Sequence, residues 1–318
     1  MQVWRHTLES APRQGRCILT LGNFDGVHYG HKSVLELAAQ RAKALGVPAV
    51  VVTFDPHPAM IVAPERRPKL LMTLPQRLDA FAAAGMDLAW IIPFSRSFSE
   101  LIPPAFLHGL QQVFTPVELH VGQGFRFGKD RAGDLATLET WGQATGCRIQ
   151  GHALRAPDGG YLSSTRIRKA LDAGEVEEAA ALLGHPYTLT GIVVEGDRRG
   201  RHLGFPTANL AWEQEQLPCN GVYVTEVRGA HLPRPMRGLT NVGRKPTFQG
   251  PALTVETHLP GFDGDLYGCH LEVGFLHRLR GEQAFPGMEA LRTQIAEDVA
   301  KGLAWQPGMP SGPDDQPK

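Results

Sequence analysis

The sequence predicts an α/β domain built on a parallel sheet, followed by a smaller domain made mostly of β-strands. Three observations carry that expectation. Through the first half, apolar runs rich in β-branched residues alternate with stretches of helical period. From about residue 187 the helical stretches give way to short strand-like runs between Gly and Pro. A chain of 318 residues is long enough to bury two cores of ordinary size.

The elements follow in order. CILTLGNF reads as a buried strand, and HKSVLELAAQRAKALG follows it with helical spacing; PAVVVTFDP, LPQRLDAFAAAG and DLAWIIPF repeat the alternation, and VELHVGQGF with DLATLETWGQATG extends it. Such βαβ units call for parallel strands with helices on both faces. SSTRIRKALDAGEVEEAAALLG reads as two short helices broken at Gly174 and ended by Gly184-His185-Pro186. Beyond it, YTLTGIVVEG, GVYVTEVRG, RGLTNVG, ALTVETHLP and CHLEVGFLHRL have the spacing of a small antiparallel barrel or sandwich. MEALRTQIAEDVAKGLAW is a terminal helix, and QPGMPSGPDDQPK is too rich in Pro, Gly and charge to pack. The expected domains are 1–185 and 186–305, with a disordered tail at 306–318.

Lys plus Arg and Asp plus Glu are equal at 32 each, so no global positive field draws the chain to nucleic acid or anionic lipid. No segment has the apolar length of a membrane span, and the N-terminus has no signal-peptide core. A soluble cytoplasmic protein without nucleic-acid or membrane partners is expected, as a monomer or weak homo-oligomer. Cys17, Cys147, Cys219 and Cys269 lie far apart, without the close pairs of zinc sites, so free thiols are expected.

Two stretches carry chemistry. In TLGNFDGVHYGH, residues 20–31, Gly22 and Gly26 flank Asn23-Phe24-Asp25 where the first strand ends, and His31 opens a helical pattern. His28 and His31 read as capping residues, as metal ligands or as phosphate-handling groups. Zinc needs a third ligand, for which His57 in TFDPHP is the available residue, and an X-Pro-His-Pro turn suits a stiff rim better. A strand end running into a helix N-terminus offers free backbone N–H groups to an anion. The second stretch, EGDRRGRHLGFPTANL at 195–210, is a Gly- and Arg-rich loop running into Pro-Thr-Ala-Asn, read as a basic surface loop or a phosphate cradle.

The ordered set GNFDGVHYGH, TFDPHP, FRFG at 125–128 and SSTRIR at 163–168, followed by GFPTAN, PCNGVYVTEV, TNVGRKPTF, TVETHL and DLYG, resembles the bacterial bifunctional riboflavin kinase/FAD synthetase family through nearly all of residues 15–305. The resemblance implies a Rossmann-like nucleotidyltransferase domain and a six-stranded antiparallel riboflavin kinase barrel. It implies ATP, riboflavin, FMN and FAD as substrates and products, with Mg²⁺. His28, His31 and Arg168 would serve adenylyl transfer, with Asn23, Phe24, Ser164 and Thr165 holding ATP phosphates, and Asp55, Phe125 and Arg126 on the flavin side. The S-S-T before RIRKAL would cap a helix in any case, and a cap and a phosphate site share one geometry. In the barrel, Gly196 and Gly204 would approach phosphates, Thr207 and Asn209 would hold Mg²⁺ and the nucleotide, and Glu256 would accept or orient the proton of the riboflavin 5′-hydroxyl. Glu256 also reads, on strand alternation alone, as a solvated outward residue. Arg280, Glu282 and Phe285 match an R-x-E-x-x-F segment, which with Arg278 reads as a structural or flavin-side flap. Two departures stand out. Gly124 occupies a position where the family carries Asp or Asn, and His202 one where it often carries Thr.

Overall fold

The structure is a computed structural model that describes residues 1–156, 158–197, 199–247 and 250–308, with the side chains of 199, 202, 245–247 and 250–252 outside that description. The tail at 309–318 and the side chain of His202 therefore lie outside the described residues. The chain divides into two compact units, Met1–Ser164 and Thr165–Lys318.

The first unit holds strands β1 (Gln2–Arg5), β2 (Gly15–Leu21), β3 (Ala49–Asp55), β4 (Leu88–Pro93), β5 (Phe114–Gly122) and β6 (Arg148–His152). Its helices are α1 (Tyr29–Leu45), α2 (Pro58–Val62), α3 (Leu74–Ala83), α4 (Arg96–Ser99), α5 (Pro103–Val113) and α6 (Leu135–Thr145). All six strands are parallel, in the order β1-β4-β3-β2-β5-β6. One face, with Leu19, Leu21, Val52, Trp90 and Leu119, packs on Phe106, Leu110 and Leu138. The other, with Ile18, Val51 and Ala89, packs on Leu35, Ala38 and Phe81. A sheet buried on both faces explains why these strands read as continuous apolar runs. Along the chain the winding runs outward from β2 to β3 and β4, then returns past β2 to β5. The β2/β5 edge is therefore the point where the strand order reverses, and ligands in such sheets sit outside the carboxyl ends of those strands.

The second unit opens with α7 (Ser164–Ala173), whose first residue belongs to the first unit, and α8 (Val176–Leu183). It continues with β7 (Tyr187–Val194), α9 (Arg199–Leu203), β8 (Thr207–Trp212), β9 (Gly221–Arg228), β10 (Met236–Thr247), β11 (Gly250–His258), β12 (His270–Arg280) and α10 (Met288–Ala304). The strands close into an antiparallel barrel of order β10-β11-β8-β7-β12-β9, which leaves no sheet edge exposed. Between barrel and sandwich, the pairing is that of a barrel. Its interior carries Tyr223, Phe275 and Leu189, plus a chain of buried hydroxyls in which Thr240 lies 2.9 Å from both Thr225 and Thr257.

Several elements carry no periodicity usable in the sequence. β1 and β6 are edge strands of mixed polarity, and β8 begins within the PTAN motif itself; α5 does carry helical spacing, with Phe106, Leu107, Leu110 and Val113 on its buried side after Pro at its first turn. The four cysteines are free thiols; burial pushes Cys17 and Cys147 up to about 12, which leaves both unreactive.

Candidate functional site

In the first unit, the turn after β2 is held from four sides. The Asp25 carboxylate accepts from Leu71 N at 3.0 Å and Met72 N at 3.3 Å. The Asp25 carbonyl accepts from Ser164 Oγ at 2.8 Å. The Asn23 carbonyl accepts from Arg77 Nη1 at 2.9 Å and from Thr53 Oγ1 at 3.3 Å. Phe24 and Val27 have φ of +51° and +32°, a conformation that non-glycine residues take only where the surroundings impose it. Phe24 places its ring in the core against Phe81 and His31, so whatever it offers an anion comes from its backbone.

His28 is the N-cap of α1. Its Nδ1 accepts from His31 N at 3.2 Å, which leaves the imidazole proton on Nε2. The two rings stack at 3.6 Å. Burial pulls His28 down to about 4, and burial plus its neighbour pulls His31 well below the ordinary histidine value. Both rings are neutral near pH 7. His31 Nδ1 is sealed from solvent without a hydrogen-bond partner among the described residues. The helix N-terminus beyond a parallel strand offers free backbone N–H groups to an anionic ligand. No group of three or more His, Cys, Asp and Glu that could hold a metal ion occurs among the described residues.

The other candidates of this unit divide. Asp55, at the end of β3, is paired with Arg5 at 3.5 Å and lies 4.0 Å from Arg77. His57 caps α2, its Nδ1 accepting from Ala59 N. Phe125 stacks on Phe127, and exposed Arg126 donates to Asp134, the N-cap of α6, at 2.9 Å. Thr165 and Arg168 lie on the first turns of α7, in the second unit.

In the second unit, strand register assembles the site. Glu256 pairs with Asn209 on one side and Asn241 on the other, so the three share one face. That face alternates with the inward Val255 and Thr257 and is the outer surface of the barrel. Glu256 is outward, as strand alternation allows, yet it is only partly exposed, because Leu291, Ile295 and Val299 of α10 line the same cavity of about 340 Å³. Thr207 lines this cavity and a second one of about 440 Å³, which Asp263, Asp265 and Tyr267 also line. A Cβ on Gly196 would stand 2.4 Å from the Asn209 amide, and one on Gly200 2.4 Å from Phe205 O and 3.5 Å from Thr207 Oγ1. The glycines thus let the loop backbone close onto the two polar residues of PTAN. Gly204 takes φ +87°, which explains glycine there. Arg280 spends its guanidinium on Asp298 of α10, at 2.7 and 3.0 Å, while Arg278 donates to Asn220 O and Ala173 O. Both read first as struts, one for the terminal helix and one for the end of α7.

A family model described as FAD synthetase matches residues 10–166, and one described as riboflavin kinase matches 183–305. Relatives named bifunctional riboflavin kinase/FMN adenylyltransferase match along almost the whole chain. That of Escherichia coli K12 is 37% identical, covering 92% of this chain and 93% of its own, and that of Pseudomonas fluorescens is 37% identical, covering 96% and 97%. This chain belongs to the bifunctional riboflavin kinase/FMN adenylyltransferase family. A relative from Bacillus subtilis is 34% identical over 92% of this chain. A solved structure from Streptococcus pneumoniae, named as a macrolide-efflux protein, shares the fold with a TM-score of 0.86 at 27% identity, covering 96% of this chain and 100% of that one. Among the described residues no helix is long and apolar enough to cross a membrane.

For a member of this family, the residues missed by sequence reading are the supports. Arg77 lies on the buried face of α3 with Phe81, and its one signal is a charge at an apolar position. Asp25 hides inside the motif it stabilises. Asn241 becomes visible only through register. Arg41 holds Glu118 at 2.6 Å, Glu118 meets His120 at 3.1 Å and His120 meets His152 at 3.1 Å, tying α1 to β5 and β6.

Proposed function

We propose that this chain phosphorylates riboflavin with ATP at the barrel, giving FMN and ADP, and adenylylates FMN with ATP at the parallel sheet, giving FAD and pyrophosphate, with 1–185 and 186–305 as the working domains. The observation that carries the reading is the pairing of two different phosphate-compatible constructions, each lying inside its own family match.

At the barrel, the flavin takes the cavity under α10 and the nucleotide the cavity beyond Thr207. Glu256 orients the 5′-hydroxyl and accepts its proton as the oxygen attacks the γ-phosphorus and the bond to ADP breaks. A carboxylate is a weak base toward an alcohol, so most of its effect is orientation, which suits a loose transition state. The Thr207 hydroxyl and the Asn209 amide oxygen are hard donors pressed against the glycine loop, and they fit Mg²⁺. When bound, Mg²⁺ supplies charge neutralisation on the transferring phosphates. Gly196 and Gly204 belong to this phosphate loop, and Arg280 fixes the helix that roofs the flavin.

At the sheet, neutral His28 and His31 donate to the triphosphate and to the charge that grows on it, with Asn23 and the backbone of Phe24 beside them. The FMN phosphate attacks the α-phosphorus, the bond to the β-phosphate oxygen breaks and pyrophosphate leaves. No enzyme-bound intermediate is required, because the acceptor is already an anionic nucleophile. Ser164, Thr165 and Arg168 keep the phosphate role their motif implies, and Asp55, Phe125 and Arg126 the flavin side. We place the protein in the cytoplasm, acting on ATP, riboflavin, FMN and FAD, as a monomer or weak homo-oligomer.

Gly124 favours a second reading, in which the kinase is intact and adenylylation is slow. Purified protein with ATP and Mg²⁺, given riboflavin and FMN in separate reactions and assayed for FMN, FAD and pyrophosphate, distinguishes them. The first reading expects both products; FMN without FAD supports the second, and absence of FMN sinks the kinase assignment.

A further inference from the structure

Position 124 has room for a side chain. Gly124 is exposed, its backbone is not in the left-handed region, and the nearest atom to a Cβ built there is Tyr161 Oη at 3.4 Å. A side chain at 124 would carry its own polar atoms into the space beside that hydroxyl. The phenol therefore stands next to where the motif's Asp or Asn would reach.

Tyr161 is placed there by packing. Arg155 and Tyr161 form an antiparallel bridge, and Leu162 N donates to Leu154 O at 3.1 Å. Leu154 is wedged between the two halves of the candidate site. Its side chain lies 3.2 Å from a Cβ built on Gly30, in the first turn of α1, and 3.1 Å from one built on Gly122, at the end of β5. Leu162 is fully buried and packs on Gly30 as well. With Leu154 and Leu162 fixed against the His28–His31 turn and β5, the intervening bridge residue Tyr161 faces the other way, over the turn in which Phe125 N donates to Gly122 O. The residue is 71% exposed, an unusual disposition for so large a side chain and a suitable one for meeting a planar ligand.

We infer that Tyr161 is a positioning residue for the acceptor flavin nucleotide in adenylyl transfer, its hydroxyl and ring supplying from the hairpin the polar contact that Gly124 does not supply from the β5 turn. The inference rests on the adenylyltransferase reading of the first unit. A hydroxyl aimed at one substrate affects that substrate's KM, leaving the other substrate and the barrel reaction alone.

The test uses the full-length chain with Tyr161→Phe, Tyr161→Ala and Tyr161→Phe/Gly124→Asn. FAD formation is followed against FMN and ATP, and FMN formation against riboflavin. Tyr161→Phe raises the KM for FMN roughly 3- to 10-fold, as for loss of one hydrogen bond, with the KM for ATP and riboflavin kinase activity unchanged. Tyr161→Ala raises it further, and Asn at 124 restores much of the loss in the Phe background. An unchanged KM for FMN in Tyr161→Phe and Tyr161→Ala overturns the inference while leaving FAD synthesis standing. Equal effects on ATP and FMN show a merely structural hairpin and also overturn it. A wild-type chain that forms no FAD from FMN overturns the adenylyltransferase reading, and the inference with it.

Discussion

The two candidate sites of this protein are built in opposite ways. At the parallel sheet the groups are uncharged: two stacked imidazoles at a helix N-terminus, His28 buried with its Nδ1 committed to the cap, and His31 partly exposed with a sealed Nδ1 that has no hydrogen-bond partner among the described residues. At the barrel they lie on an outer face, assembled by register across three strands and roofed by a helix that an Arg280–Asp298 pair holds down. The contrast follows from what each reaction asks. An anionic acceptor needs donors that stabilise growing charge without competing as nucleophiles, whereas an alcohol acceptor needs a carboxylate to aim it.

Breaking one half without touching the other is the largest expected effect. Glu256→Gln lowers FMN formation about 10²- to 10⁴-fold, the range of general-base losses, while FAD formation from supplied FMN stays unchanged; product chromatography reads both. Loss of the two activities together would contradict two separate sites.

The histidine half splits further. His28→Asn keeps a side-chain acceptor for the α1 cap and removes the imidazole donor, so FAD synthesis falls about 10²-fold or more at nearly unchanged stability. His28→Ala loses the cap too, an added cost of about 1 kcal/mol, measured by chemical denaturation. If both variants lost equal stability and little activity, capping alone would explain His28.

Smaller is the effect of the support. Arg77→Met leaves the Asn23 carbonyl only the longer bond from Thr53 Oγ1 and costs about 0.5–1.5 kcal/mol, with FAD synthesis weakened and riboflavin kinase activity untouched. Outside the neutral range, where activity is assayed, a pH effect on stability is expected. Because His28 titrates near 4 when folded and at the ordinary value near 6.5 when unfolded, the unfolded chain binds more protons between those values. Stability is full above about pH 6.5 and is lost as pH falls toward 4, by roughly 3 kcal/mol at most. His28→Asn reduces that slope and leaves the part due to His31, which burial also holds below its ordinary value; an identical slope in both proteins would show that His28 does not contribute.

Most of the architecture was legible because a doubly covered sheet and a small barrel leave different textures in sequence: unbroken apolar runs such as PAVVVTF in one, short alternating runs such as TVETH in the other. The edge strands β1 and β6 were not legible, since pairing on one side imposes no strict pattern. For the candidate sites, motif order singled out His28, His31, Thr207, Asn209 and Glu256. It could not show that Phe24 is core, that Arg126 is spent on Asp134, or that Arg280 is spent on Asp298, because those outcomes depend on residues far along the chain or on ring packing. Arg77 and Asn241 escaped for the same reason, one mattering through a backbone carbonyl and the other through strand register.

Complementation between two variants reads the independence of the two sites. Glu256→Gln and His28→Asn proteins are each incubated with riboflavin, ATP and Mg²⁺, then mixed, and FAD is quantified. Two independent sites predict little or no FAD from either protein alone and FAD from the mixture, as FMN made by one is adenylylated by the other. A mixture that forms no more FAD than its parts would contradict the account.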